Sequence, residues 1–404
     1  MKRYSLYACF VLTLFTILDT YGADKQQVIR DSTIKYGVEI EPFLKSLNNG
    51  KIVEGFNYSP HINKFLKENK YVKFPPYALT IGIDDSFKSY RSHLVVNSGN
   101  RLYFPKGSEL VCPTDMKTNG YMVFVSWAVS DVFIDGINLR GSKVNADYKP
   151  SPYGAGIAMY APTKVTVLNA TITKNSGDGL TVRTHWNKQS KNIVINKATI
   201  VNASRVGMLI TGIENGDFRN IYIEGTGEKD QSKVVKPQTA LSFEPNDCTS
   251  KYINCKFTNL ETKNNLGPVV ATTNFYAIYT KNTCGPNNIS ISINNWKDLN
   301  DDPACYGASF DVASGSMEKY DTKDINGTFT INNATIIRDT KKEKYDYYFL
   351  HGHEEARKGG VKYTLSNLKF VRQGKAFGLK NKSGDKAINR TIDLANKSNK
   401  LSIN

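Results

Sequence analysis

The stretch Asp178-Gly-Leu-Thr-Val-Arg-Thr-His185 decides the fold, because it returns as Val206-Gly-Met-Leu-Ile-Thr-Gly212 and again as Thr239-Ala-Leu-Ser-Phe-Glu-Pro-Asn246. Each copy sets a small residue ahead of four or five residues that alternate inward and outward, the period of a strand. Gly179, Gly207 and Ala240 are 28 and 33 residues apart. A constant supersecondary unit with insertions of different length between copies reads as a solenoid. Working outward, Thr163 to Ile172 and Lys191 to Ile200 precede the first two copies with the same grammar, so the unit is three short strands per coil.

The same punctuation extends in both directions. Strands are expected at Tyr71 to Phe74, Ala78 to Ile83, His93 to Asn97 and Arg101 to Phe104, between turns such as Pro75-Pro76 and Ser98-Gly99-Asn100. Met122 to Val125, Val132 to Leu139 and Gly156 to Tyr160 continue the series. The polar stretch from Arg140 to Tyr153 is long enough to wall a groove. Beyond Glu244 come Lys251 to Phe257, Val269 to Ala271, Asn288 to Ile293, Ala308 to Val312, Thr328 to Ile336 and Val361 to Phe370. Asp346 to His353 repeats the spacing of Asp178 to His185, with Asp first and His last. Ahead of the strands, Ser59-Pro60 opens a segment with Ile62, Phe65 and Leu66 at helical spacing. A helix there would cover the open end of the coil stack.

The N-terminus carries Met1-Lys-Arg3, an apolar run from Leu6 to Leu18 and small residues up to Ala23, the layout of a secretory signal peptide. Four parts are expected: a signal peptide at 1–22, an N-terminal segment with the capping helix at 23–70, the β-helix at 71–380 and a C-terminal cap or disordered tail at 381–404. The protein is expected to be secreted or periplasmic and monomeric, with no membrane partner. Of 404 residues, 40% are hydrophobic, enough for a core, and the mean hydropathy is -0.41. Against 37 acidic residues stand 53 basic ones, a net charge of +16 that favours an anionic partner. The export signal disfavours nucleic acid as that partner. No cofactor and no metal is expected. Five cysteines follow the signal peptide, and Cys248 with Cys255 or Cys284 with Cys305 would close local disulfide loops.

The stretches Val72 to Ile81 (VKFPPYALTI), Asn100 to Leu110 (NRLYFPKGSEL), Val165 to Leu180 (VTVLNATITKNSGDGL) and Ile193 to Leu209 (IVINKATIVNASRVGML) resemble the right-handed parallel β-helix proteins of the pectate-lyase-like superfamily. Asn175 and Asn202 in the turns add to the likeness, which covers about Tyr71 to Leu379. The resemblance implies an all-β fold and a polysaccharide hydrolase or lyase, while fold alone does not choose the reaction. Asn175-Ser-Gly-Asp178 is similar to the aspartate neighbourhood of polygalacturonase-type hydrolases, whose Asp-Asp, Gly-His-Gly and Arg-Ile-Lys motifs the sequence lacks.

Stacking the coils places Leu180, Met208 and Leu241 inward with Val182, Ile210 and Phe243. The residues between them form an outward column facing solvent: Tyr160, Arg183, Thr211, Glu244 and, further along, Asp311 and His351. A second column holds His185, Trp186, Glu214, Asn246 and Asp247. Glycoside hydrolysis requires two carboxyl groups on opposite sides of the bond, and Glu244 with Asp247 at a strand end has that character. Asp178 is a third catalytic candidate, although Gly-Asp-Gly is also turn chemistry. Tyr160 and Arg183 would hold a uronate or sulfate, Trp186 would stack on a sugar, and His185, Glu214 and His351 complete the substrate-binding set. His351-Gly-His353 with Glu354 and Glu355 matches no zinc spacing. A secreted glycoside hydrolase acting through Glu244 is the leading expectation. A lyase removing a C5 proton, and a non-catalytic glycan-binding protein, are the alternatives.

Overall fold

Successive parallel strands one coil apart bring backbones so close that a side chain at Gly179 has nowhere to go. A Cβ there would lie 2.3 Å from Cγ2 of Ile200 and 2.6 Å from the Gly207 carbonyl. At Gly207 it would lie 2.3 Å from Cγ2 of Ile223 and 2.7 Å from the Ala240 carbonyl. The small-residue column that marks the repeat is thus a packing requirement, and the pairs Leu180 with Met208 and Met208 with Leu241 confirm the register. The computed structural model describes residues 26–84, 92–112, 121–125, 129–143, 150, 154–185, 188–245, 250–272, 287–302, 304–305, 307–312, 325–339, 347–352, 360–373 and 392–393.

The chain is a right-handed parallel β-helix with a short N-terminal capping helix. Among the described residues all pairings between strands are parallel and build two sheets, a short one of nine strands and a long one of fifteen. Each coil runs once through the short sheet and twice through the long one. Ser130–Asp135 and Asn138–Arg140 are separate strands that pair with the two halves of Thr163–Thr173. In later coils the two arcs join into one bent strand, because the corner residue takes a left-handed backbone (φ 51 to 59°) at Asn169, Lys197, Asn220, Asn259, Asn295 and Asn333. Asparagine tolerates that conformation better than other side chains with a Cβ. Its amide then pairs with the coil before: Asn220 to Asn196 at 2.9 Å, Asn259 to Asn220 at 2.9 Å, Asn295 to Asn259 at 3.1 Å and Asn333 to Asn295 at 3.3 Å. A second ladder joins Asn192, Asn215 and Asn254.

One core of Ile, Val, Leu and aromatic side chains fills the coils from Ile40 to Leu365, with Phe218 stacked on Phe257 at 4.5 Å. The expected disulfide between Cys248 and Cys255 is not made. Cys255 is a free thiol deep in this core, where burial pushes its pKa up. Cys248 and Cys284 lie outside the described residues.

The helix Ser59–Glu68 caps the stack as the sequence predicts, burying Ile62, Phe65 and Leu66. Asn63, itself buried, meets the edge strand Ser92–Val96 with both ends of its amide, donating to the His93 carbonyl at 2.8 Å and accepting from the Val95 N–H at 2.8 Å. The edge of the short sheet is thereby closed to further pairing. Two further helical segments, 26–36 and Glu41–Ser46, precede it, and parallel pairing with the long sheet already starts at Val38–Glu39.

Candidate functional site

The strand Ala155–Tyr160 shows how the short sheet divides its side chains. Gly156, Ile157 and Met159 face the core, whereas Ala155, Ala158 and Tyr160 form a separate apolar cluster on the outside with Val95 and Phe124. Carrying that pattern through the register yields three outward rows. The middle row runs Val95, Phe124, Ala158, Thr181, Leu209, Ser242, Ala271, Asp311, His351. One side of it holds Ala155, Asp178, Val206 and Thr239; the other holds Tyr160, Arg183, Thr211 and Glu244.

This register corrects the expected column. Asp311 and His351 do pair with each other, but they align with Ser242, two residues short of Glu244. Nor does the face stand open to solvent: Asp178, Thr181, Thr211, Thr239 and Ser242 are fully buried, and Tyr160 and Arg183 nearly so at 8% exposure. The alternation was legible in the sequence, but burial on the outer side was not, because polar Thr, Ser and Arg fit a covered face only when their partners come from other coils.

Those partners are specific. The guanidinium of Arg205, the residue just before Val206, forks onto Asp178 with Nε at 2.7 Å from Oδ1 and Nη2 at 2.7 Å from Oδ2. Arg183 adds its Nη2 at 3.1 Å from Oδ2. Asp178, expected as a third catalytic carboxyl, is therefore a fully buried carboxylate held by two arginines. The Arg183 guanidinium also lies over the Tyr160 ring at 5.5 Å, and the His185 ring meets Tyr160 edge-on at 5.8 Å. His185 sits in a tight reversal, exchanging backbone hydrogen bonds with Lys188 at 2.9 and 3.0 Å. Burial, aided by the Lys188 charge, lowers its pKa and keeps the imidazole neutral near pH 7.

Glu244 ends the row half-buried. Desolvation raises its pKa, partly countered by Arg205, with Asp178 raising it further and Arg183 lowering it. Around it, three buried atoms make no hydrogen bond: Thr181 Oγ1, Thr239 Oγ1 and Arg183 Nε. Buried polar groups are paired in the great majority of cases, so three orphans on one face, two from the strand Asp178–Arg183 and one from Thr239–Phe243, mark a place for a polar ligand or water.

The remaining predicted site residues divide. Glu214 does not join this face, for it lies on the strand Ile213–Glu224 of the long sheet and pairs with Lys191 at 2.8 Å. Asp247, Asn246, Trp186 and His353 to Glu355 lie outside the described residues, and for His351 the structure describes the strand and its register. Sequence reasoning missed Arg205. Its one signal was a charge standing where the preceding coil has Gly177.

It also missed a groove of about 610 Å³ on a different edge, where the long sheet turns back toward the short one. Lys143, Asn202, Glu228 and Asp302 line it, so the stretch expected to wall a groove does contribute a residue.

No family model matches the chain, and neither does any curated protein. Solved structures do. The tailspike protein of E. coli bacteriophage HK620, as a point mutant in complex with a pentasaccharide, superposes with a TM-score of 0.59 at 11% identity over 87% of this chain. A second mutant of that tailspike, in complex with a hexasaccharide, gives a TM-score of 0.55 at 9% identity over 88% of this chain. The chain spans 65% and 64% of the length of those two tailspike chains. At such identities the likeness establishes a shared parallel β-helix architecture.

Proposed function

We propose that the protein is a secreted, glycan-cleaving hydrolase whose active centre is the outer face of the short sheet around Glu244. The observation that carries this reading is the coincidence on one face of a carboxyl group with a raised pKa and three unsatisfied buried polar atoms. A carboxyl whose pKa is raised by desolvation is suited to the acid role that glycoside cleavage needs. Glu244 gives its proton to the leaving oxygen as the glycosidic C–O bond breaks. Asp247 is assigned as the second carboxylate, taking a proton from the water that attacks the anomeric carbon. Arg183 and Arg205 share one buried counter-charge, Asp178, which leaves the cluster one positive charge when Glu244 is protonated. That balance suits a uronate or sulfate beside Tyr160. The oligosaccharide complexes of the HK620 tailspike support a glycan as the partner.

A lyase is the second reading, favoured by His185. A neutral imidazole beside Tyr160 and Arg183 has the protonation state of a base for C5 proton removal, with an arginine to neutralise the uronate.

The test is a panel of uronic-acid, sulfated and neutral polysaccharides in which reducing ends and unsaturated-uronate absorbance are followed together. Reducing ends without absorbance, abolished in Glu244→Gln, support the hydrolase. Absorbance rising with the ends, abolished in His185→Ala, replaces it with the lyase, and silence on every substrate leaves a glycan-binding protein.

A further inference from the structure

We propose that the groove lined by Lys143, Glu228 and Asp302 is a second saccharide site, separate from the Glu244 face, and that it takes amine-bearing sugars. The groove is a built feature. It crosses the turns that follow Asn138–Arg140, Ser190–Val201, Ile213–Glu224, Tyr252–Lys263 and Asn287–Asn300, so it runs along the solenoid across several coil spacings of about 4.8 Å each. Its volume of about 610 Å³ lies within the range of small-molecule sites. Gly225 and Gly227, both left-handed at φ +66° and +107°, form part of its floor, and at Gly225 a Cβ would strike the Asn202 amide at 2.5 Å.

The lining carries paired charges from distant parts of the chain. Lys143 reaches Glu228 at 2.7 Å, where the carboxylate is 7% exposed, and Lys229 reaches Asp302 at 2.6 Å. Glu224 accepts from the Tyr222 hydroxyl at 2.6 Å. Burial works to raise the Glu224 and Asp302 carboxyls, but the Tyr222 hydroxyl and the Lys263 ammonium on one and Lys229 on the other outweigh it, so both pKa values lie below the ordinary carboxylate value. Fixed donors beside fixed acceptors match vicinal hydroxyls, each of which donates and accepts.

Charge then selects among sugars. The lining holds Lys143 and Lys229 against Glu224, Glu228, Asp230 and Asp302, and Lys263 beside it pairs with Glu224 at 3.0 Å, which leaves one net negative charge. That sign opposes the chain's own +16 and disfavours uronate or sulfate here. It favours a free amine, whose three donors suit carboxylates at the rim.

Isothermal titration of the full chain with three probes tests this independently of any cleavage: a glucosamine tetramer, its fully N-acetylated counterpart and a galacturonate tetramer. The glucosamine tetramer should bind tightest. Asp302→Asn and Asp230→Asn, both at the rim, should each weaken it about ten-fold, as loss of a charge-assisted hydrogen bond does, while Glu244→Gln leaves it unchanged. Glu228→Gln should act in the same direction if thermal unfolding shows it folded. A glucosamine tetramer that fails to bind at millimolar concentration, that binds no better than the galacturonate tetramer, or that ignores both rim variants overturns the site. Loss of glucosamine binding in Glu244→Gln would instead merge it with the Glu244 face.

Discussion

The outsides of the two sheets carry similar residue types and use them in opposite ways. On the long sheet, Lys191 and Glu214 pair at 2.8 Å with side chains 47% and 35% exposed, and Lys297 and Glu261 pair at 3.2 Å at 50% and 43%. On the short sheet, Asp178 is 0% exposed beneath Arg183 and Arg205. Exposed pairs gain little from each other because water screens them, whereas a buried carboxylate depends on its cations. The lesson is that alternation tells which residues face outward, and cover decides whether they are solvated or poised for chemistry.

The comparison breaks most visibly if Glu244 behaves like a surface carboxylate. Glu244→Gln should reduce turnover by about 10²- to 10⁴-fold, the usual worth of a general acid, with the fold retained by circular dichroism. Next in size, Asp178→Ala leaves two buried guanidinium groups without their counter-charge. It should cost about 3–5 kcal/mol in urea unfolding, whereas Glu214→Ala on the other sheet should cost under about 1 kcal/mol. Equal losses would erase the distinction between the faces. At the asparagine corner, Asn259→Ala puts an ordinary side chain into a left-handed backbone and should cost about 1–2 kcal/mol, with Asn259→Gly milder by the same assay. The smallest effect is pH-dependent. A folded-state pKa raised above the unfolded value of about 4.5 means the folded form holds the proton more tightly. The contribution of Glu244 to stability is thus fully present below that pH and is lost as pH rises through its folded pKa. Thermal melts of the wild type and Glu244→Gln should converge at low pH and favour the variant as pH rises.

The coil period was legible because it is enforced at short range. Gly179 and Gly207 have no room for a Cβ, and the corner asparagines occupy a conformation few residues accept. The capping helix was legible for the same local reason, through Ser59-Pro60 and the spacing of Ile62, Phe65 and Leu66. Glu244 on the outer face of its strand followed from alternation alone. The Arg205 to Asp178 contact did not, since it joins residues 27 apart across a turn and requires the register to be known first. The groove is harder still, because Lys143 and Glu228 meet across 85 positions, and Gly225 and Gly227 carry no side-chain pattern to betray it.

The most direct test of the account is the titration of the Glu244 carboxyl, followed by carbon-13 NMR of the labelled side chain with Glu244→Gln to assign it. The account predicts a midpoint clearly above 4.5, moving higher when Arg205→Gln removes the cation that holds it down. A midpoint at or below that value, or one indifferent to Arg205→Gln, would contradict the reading of Glu244 as the acid of a desolvated site.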